Sequence, residues 1–238
     1  MIVSHTHRFV FIKTAKTAGT SMMILLSHLC RDGDLITDLN DDDIALGRRL
    51  GYSSPTGLKT IVETQRFRAW RLMKQYHGDP KFMKTSGRKL RKNLSAYAAM
   101  QYLGRETWNG YFKFCFERNP FDKAVSLYFW HTRDLEVRPE VNSYIQGMPR
   151  SRLSNWDLYT IDDRVAVDFV GRYENLEDDL RRIMSRLGLS DYALPVAKGD
   201  AQKQRQHYSR LLDADTRRHI ETVCGREIAE LGYAWVDR

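Results

Sequence analysis

A strand, a loop of small and hydroxylated residues and a helix follow one another within residues 8–29, and this constrains the chain more than anything else in it. Arg8-Phe9-Val10-Phe11-Ile12 is dominated by β-branched and aromatic residues and reads as a buried strand. It runs into Lys13-Thr14-Ala15-Lys16-Thr17-Ala18-Gly19, and an apolar stretch over 22–29 then reads as a helix. The pattern repeats at Tyr111-Phe112-Lys113-Phe114-Cys115-Phe116-Glu117, a second strand that Arg118-Asn119-Pro120 breaks before a helix over 122–130. A third strand is expected over 165–173. The helix after it is capped by Asn175, acidic in its first turn (Glu177, Asp178, Asp179), basic later (Arg181, Arg182, Arg186) and stopped at Gly188. A last helix is expected over 215–231. Strands alternating with helices predict a single α/β domain over 1–238 with a central parallel sheet.

Between the first two units lies a long excursion over about 31–100. It opens polar, with Asp41-Asp42-Asp43, and Gly51, Pro55 and Gly57 punctuate it. Amphipathic helices are expected over 60–76 and again after Gly87, where Leu90, Leu94 and Tyr97 share one face. The first carries Arg66, Arg68, Arg71 and Lys74 beside Phe67 and Trp70: a solvated charged helix, or a grip on an anionic or sugar ligand. With 42% hydrophobic and 11% aromatic residues the chain can bury a core. Lys and Arg number 38 against 30 Asp and Glu, a net charge of +8 that favours polyanionic ligands without choosing among them. Cys30, Cys115 and Cys224 are too few and too far apart for a disulfide scaffold or a CxxC metal site. No run has the character of a secretory signal or the length of a membrane span, so the expectation is a soluble, cytoplasmic protein.

Two segments carry chemistry. In Lys16-Thr17-Ala18-Gly19-Thr20-Ser21 small residues let backbone N–H groups close around an anion, and the following helix adds the positive end of its dipole. Lys16 supplies a point charge, and Thr17, Thr20 and Ser21 supply hydroxyls. The lysine precedes the glycine, so the segment is not the G-x-x-x-x-G-K-[ST] loop; an ordinary helix start capped by Thr20 or Ser21 is the plain alternative. In Arg118-Asn119-Pro120-Phe121-Asp122-Lys123-Ala124-Val125-Ser126 an arginine leaves a buried strand at the carboxyl edge of the sheet, where α/β folds bind ligands. Ser126 can point back to the same anion. The alternative is that Arg118 pairs with a core carboxylate and Asn119-Pro120 merely starts a helix.

Together the two segments resemble the sulfotransferase family, in particular its carbohydrate-type branch with heparan and chondroitin sulfotransferases and bacterial relatives. Phe169-Val170-Gly171-Arg172-Tyr173-Glu174-Asn175-Leu176 is similar to that family's third landmark, and the stretch from His207-Tyr208 to Gly232-Tyr233 fits its ending. The resemblance implies a P-loop-like three-layer fold and a donor, 3′-phosphoadenosine 5′-phosphosulfate (PAPS), leaving as the bisphosphate PAP. It places the 5′-phosphosulfate on Lys16, Thr17, Ala18, Gly19, Thr20 and Ser21, and the 3′-phosphate on Arg118 and Ser126. It also places a basic loop over the donor at Lys203 and Arg205, and makes 31–100 the variable acceptor side.

Sulfuryl transfer rests on positioning and on stabilising charge at the departing phosphate oxygen, for which Lys16 and the N–H groups near Gly19 are suited. No metal is implied. Lys13 adds positive potential there or is a solvated strand end. Related enzymes commonly use a histidine, sometimes a glutamate, to deprotonate the acceptor, and in bacterial ones the histidine tends to precede the basic helix before the second motif. Phe82-Met83-Lys84-Thr85-Ser86-Gly87 holds none, so His77 is the nearest substitute, while His131 and His28 read more simply as structural. The expected activity is sulfuryl transfer to a hydroxyl acceptor, a carbohydrate or glycolipid, by a cytoplasmic bacterial enzyme without nucleic-acid partners. The alternatives are a PAPS- or PAP-binding protein without turnover and a P-loop-like kinase, although no acidic residue for Mg²⁺ is evident at a strand end.

Overall fold

The computed structural model describes residues 1–31, 33–36, 41–51, 94–189, 192 and 206–238. Its centre is a five-stranded sheet in the order β3-β1-β2-β4-β7, formed by β1 (Ile2–Ser4), β2 (Phe9–Phe11), β3 (Leu35–Ile36), β4 (Phe112–Glu117) and β7 (Phe169–Arg172), while β5 (Thr160–Ile161) and β6 (Arg164–Val165) pair as a separate antiparallel ladder. The three strands foreseen from the sequence, β2, β4 and β7, run parallel, with Phe11 beside Phe114 and Glu117 beside Arg172.

The sheet as a whole is mixed, which corrects the expectation of a parallel one. β1 pairs antiparallel with β2, and β3 antiparallel with β1. These two strands have three and two residues, too short to show a period, and Asp34 fastens them. Its carboxylate accepts from Ser4 Oγ (2.9 Å) and from the backbone N–H groups of His5 (2.6 Å) and Arg31 (3.0 Å). Burial would raise the Asp34 pKa, yet these hydrogen bonds hold it below the usual carboxylate value.

Alternate strand residues face opposite sides, so each side of the sheet builds its own core. Phe9, Phe11, Phe114 and Phe116 pack against α1 (Gly19–His28) and against Leu180, Ile183 and Met184 of α9 (Leu176–Arg186). Val3, Val10, Ile12 and Cys115 pack against α3 (Ala96–Leu103), α4 (Arg105–Gly110) and α8 (Trp156–Tyr159). A third cluster joins α5 (Pro120–His131) to Ile145, Leu153, Tyr208 and Ile220. Asn175 holds the cap position of α9, but its side chain donates to Asp179 (3.2 Å) instead of capping. The expected last helix is two, α10 (Ala214–Val223) and α11 (Gly225–Leu231), divided at Cys224. The expected helix over 60–76 lies outside the described residues, as does Leu90 of the next; Tyr97 of that face falls in α3.

Candidate active site

Four facts define the loop between β2 and α1. Lys16 and Ala18 both have left-handed backbones, with φ of 63° and 58°. Such conformations cost a non-glycine residue roughly 1–2 kcal/mol each, so surrounding bonds must impose them. Thr14 and Thr17, both buried, share a hydroxyl–hydroxyl bond of 2.8 Å, and Thr14 Oγ1 also donates to the carbonyl of Phe116. Thr17's hydroxyl thus fastens the loop inward rather than facing a ligand. Finally, α1 starts at Gly19 with Ala18 as its cap residue and no side-chain cap, against the plain alternative of Thr20 or Ser21 capping. The positive end of the α1 dipole therefore opens on the loop without a capping side chain.

Gly19 is there for space. A Cβ would stand 3.1 Å from Cγ and Cε of Lys13, whose stem lies across the glycine. Lys13 is therefore packed on the loop, not a solvated strand end.

The second segment comes to the first. Arg118, buried, donates from Nη1 to the Lys16 carbonyl (3.2 Å) and to Ser126 Oγ (3.4 Å). Its Nε and Nη2 hold Asp122 at 2.7 and 2.6 Å, and Tyr173 lies under the guanidinium, 4.2 Å from ring centroid to Cζ. Arg118 is thus paired with a carboxylate, but the Asp122 side chain is 39% exposed and is not the core carboxylate of the alternative; the Nη1 edge stays turned to Ser126 and the loop. Asn119 caps α5 by accepting from Phe121 N–H (3.0 Å), and Pro120 at the first position needs no donor. The third landmark completes the wall, since Glu174 accepts from Asn119 N–H (2.7 Å) beside Tyr173.

Beneath both segments lies a buried ionic cluster that the sequence did not announce. Glu117 ends β4 and points into the core, so an acid does stand at a strand end. It accepts from Lys123 Nζ (3.0 Å), Arg118 N–H (2.9 Å) and Asn155 Nδ2 (2.9 Å). Glu227, also buried, lies 3.9 Å from Lys123 Nζ and accepts from Ser154 Oγ (2.6 Å) and Asn155 N–H (3.1 Å). Burial pushes the Glu117 carboxyl up against the pull of Lys123. Lys123, which burial alone would lower, is held up by Glu117 and its other neighbours. The signal available in the sequence was an acid closing the apolar run Phe114-Cys115-Phe116; nothing marked Asn155.

Lys16 Nζ rests over the Trp130 ring at 4.7 Å, one turn beyond Ser126 on α5, and Arg133 covers the same ring at 4.0 Å. His131 follows, 3.4 Å from Arg152 Nη1, and burial together with Arg152, Lys16 and Arg133 lowers its pKa. Thr20 and Ser21 stand in the first turn of α1. His77, Lys203 and Arg205 lie outside the described residues. Among the described residues, no group of three His, Cys, Asp or Glu side chains could hold a metal, and no helix is long and apolar enough to cross a membrane.

Residues 1–138, which contain both the 16–21 and the 118–126 segments, match the sulfotransferase family. The chain belongs to that family. An uncharacterized protein of Archaeoglobus fulgidus is 34% identical over 102 residues, covering 41% of this sulfotransferase-family chain and 85% of the relative. No solved structure matches. The match ends at residue 138, so Asn155, Tyr173, Glu174 and Glu227 lie beyond it.

Proposed function

We propose that this chain transfers the sulfuryl group of PAPS to a hydroxyl of a carbohydrate or glycolipid acceptor. Two anion-suited segments 102 residues apart in sequence meet at the Arg118–Lys16 contact, and that observation carries the reading. The donor has two separated anionic ends, and the fit is by ends. The strained loop, the uncapped first turn of α1 and Lys16 suit a phosphosulfate. The Nη1 edge of Arg118 with Ser126 Oγ suits a 3′-phosphate. The strand–loop–helix start is P-loop-like in this reading.

PAPS supplies an activated sulfuryl group, and the chain supplies position and charge. Lys16, lifted from Trp130, offsets negative charge on the departing phosphate oxygen together with the N–H groups around Gly19. Arg118 is held rigid by Asp122 and Tyr173, so little of its freedom is lost on binding. Lys203 and Arg205 close over the donor, and His77 takes the acceptor's proton. The acceptor side is built from the 31–100 excursion, and the enzyme is assigned to the bacterial cytoplasm.

The test is transfer itself. The protein is incubated with PAPS, EDTA and a panel of neutral and acidic glycans and glycolipids, and products are followed by mass spectrometry. An acceptor gaining one sulfuryl group, with loss of transfer in Lys16→Ala, is the expected result. PAP binding with no transfer to any hydroxyl acceptor contradicts turnover and leaves a binding protein.

A further inference from the structure

Asn155 touches both anion-facing segments at once. It is 1% exposed and sits on the turn before α8. Its Oδ1 accepts from Ala15 N–H (3.0 Å), and its Nδ2 donates to the Ala15 carbonyl (3.3 Å). Both backbone groups of the residue before Lys16 are therefore taken by one side chain. The same Nδ2 donates to Glu117 Oε1 (2.9 Å), the residue before Arg118. Asn155 is held in turn by its own N–H on Glu227 Oε1 (3.1 Å).

We propose that Asn155 is a positioning residue that sets the spacing between the 16–21 loop and the 118–126 segment, so that one donor molecule can engage both. An amide suits the task because it presents an acceptor and donors in one plane, and this site uses both kinds. Aspartate cannot donate when ionised, and it would set a second carboxylate against Glu117. Alanine leaves the Ala15 N–H without its partner and removes one of the three donors to Glu117 Oε1. The spacing matters because a ligand with two anchored ends gains from the second only when both sites can be reached together. The residue lies outside the matched 1–138 segment, so the remainder of the chain completes the donor site.

This rests on the donor reading, and the experiment separates the two. Calorimetry compares PAP with 5′-AMP and 3′-AMP, each carrying one of its two phosphates, on wild type and Asn155→Ala. The positioning role predicts that PAP binding weakens at least about tenfold while each half-ligand changes by less than about twofold. An equal loss for all three ligands, or no loss for PAP, overturns it. Amide exchange of the apoprotein gives a readout independent of PAP. The Ala15 N–H should exchange faster in the variant while Phe114 and Phe116 stay protected, and an unchanged Ala15 rate overturns the proposal. If wild type itself fails to bind PAP, the donor reading fails, and the exchange arm still decides whether Asn155 holds the loop. If Asn155→Ala does not fold, Asn155→Ser, which keeps a small polar side chain, takes its place in both arms.

Discussion

Replacing Lys123 by methionine should destabilise this protein more than most single changes can. The Lys123 and Glu117 side chains are 1% and 0% exposed, and Nζ stands 3.0 Å from Glu117 and 3.9 Å from Glu227. With an effective dielectric of about 20 those two attractions are about 5 and about 4 kcal/mol. Methionine fills the space but leaves two carboxyls buried without a cation. The Glu117 carboxyl responds by binding a proton, which limits the loss to about 3–5 kcal/mol, the usual cost of removing one partner of a buried pair. In a chain of this size that lowers the melting temperature by roughly 6–20 °C.

The pH dependence identifies the cause. A carboxyl held neutral in the folded state keeps a proton that the unfolded chain releases. Its folded pKa is raised, so the stability it contributes is full below about pH 4.3 and fades as pH rises. Removing Lys123 raises the Glu117 pKa further, and the deficit of the variant should therefore widen from pH 5 to pH 8. Urea melts across that range measure it, and Lys123→Met with Glu117→Gln should recover part of the loss. A deficit under about 1 kcal/mol, or one that is flat with pH, would refute the view that this cluster supports the site through its charge.

Two further outcomes follow from the same geometry. Gly171→Ala places a Cβ 2.5 Å from Cε1 and 2.7 Å from Cδ1 of the fully buried Phe116, its partner across β4 and β7, so stability should fall by about 1–3 kcal/mol; an unchanged urea midpoint contradicts that packing. His77→Ala should lower turnover by about 10²-fold or more while PAP affinity stays the same. Full activity in that variant together with loss in His131→Ala would move the base to the end of α5.

The sequence revealed the fold where a period or an apolar run was long enough to show it. Phe9 to Ile12 and Phe112 to Glu117 announced β2 and β4, and the left-handed Gly188 (φ 70°) ends α9 as its position suggested. β1 and β3 were invisible because two or three residues have no period, and what fixes them is the buried Asp34, whose partners lie up to 30 residues away. The 16–21 and 118–126 segments were legible through residue type and order. Their supports were not: Asp122 and Tyr173 on Arg118, and Asn155 on Ala15, are long-range or side-chain choices that no local pattern encodes. The left-handed Lys16 and Ala18 were equally hidden, since nothing in their residue types asks for that conformation.

The central claim is that the 16–21 loop and the 118–126 segment form one metal-independent site for a 3′,5′-bisphosphorylated adenosine. Calorimetric titration of PAP in EDTA, set beside ATP with Mg²⁺, tests it directly on wild type, Lys16→Ala and Arg118→Ala. PAP should bind wild type in EDTA, and each substitution should weaken it by about 10- to 150-fold, the worth of a hydrogen bond to a charged group. Binding of ATP with Mg²⁺ by the folded protein, with none of PAP, would contradict the account and return the site to kinase-like chemistry.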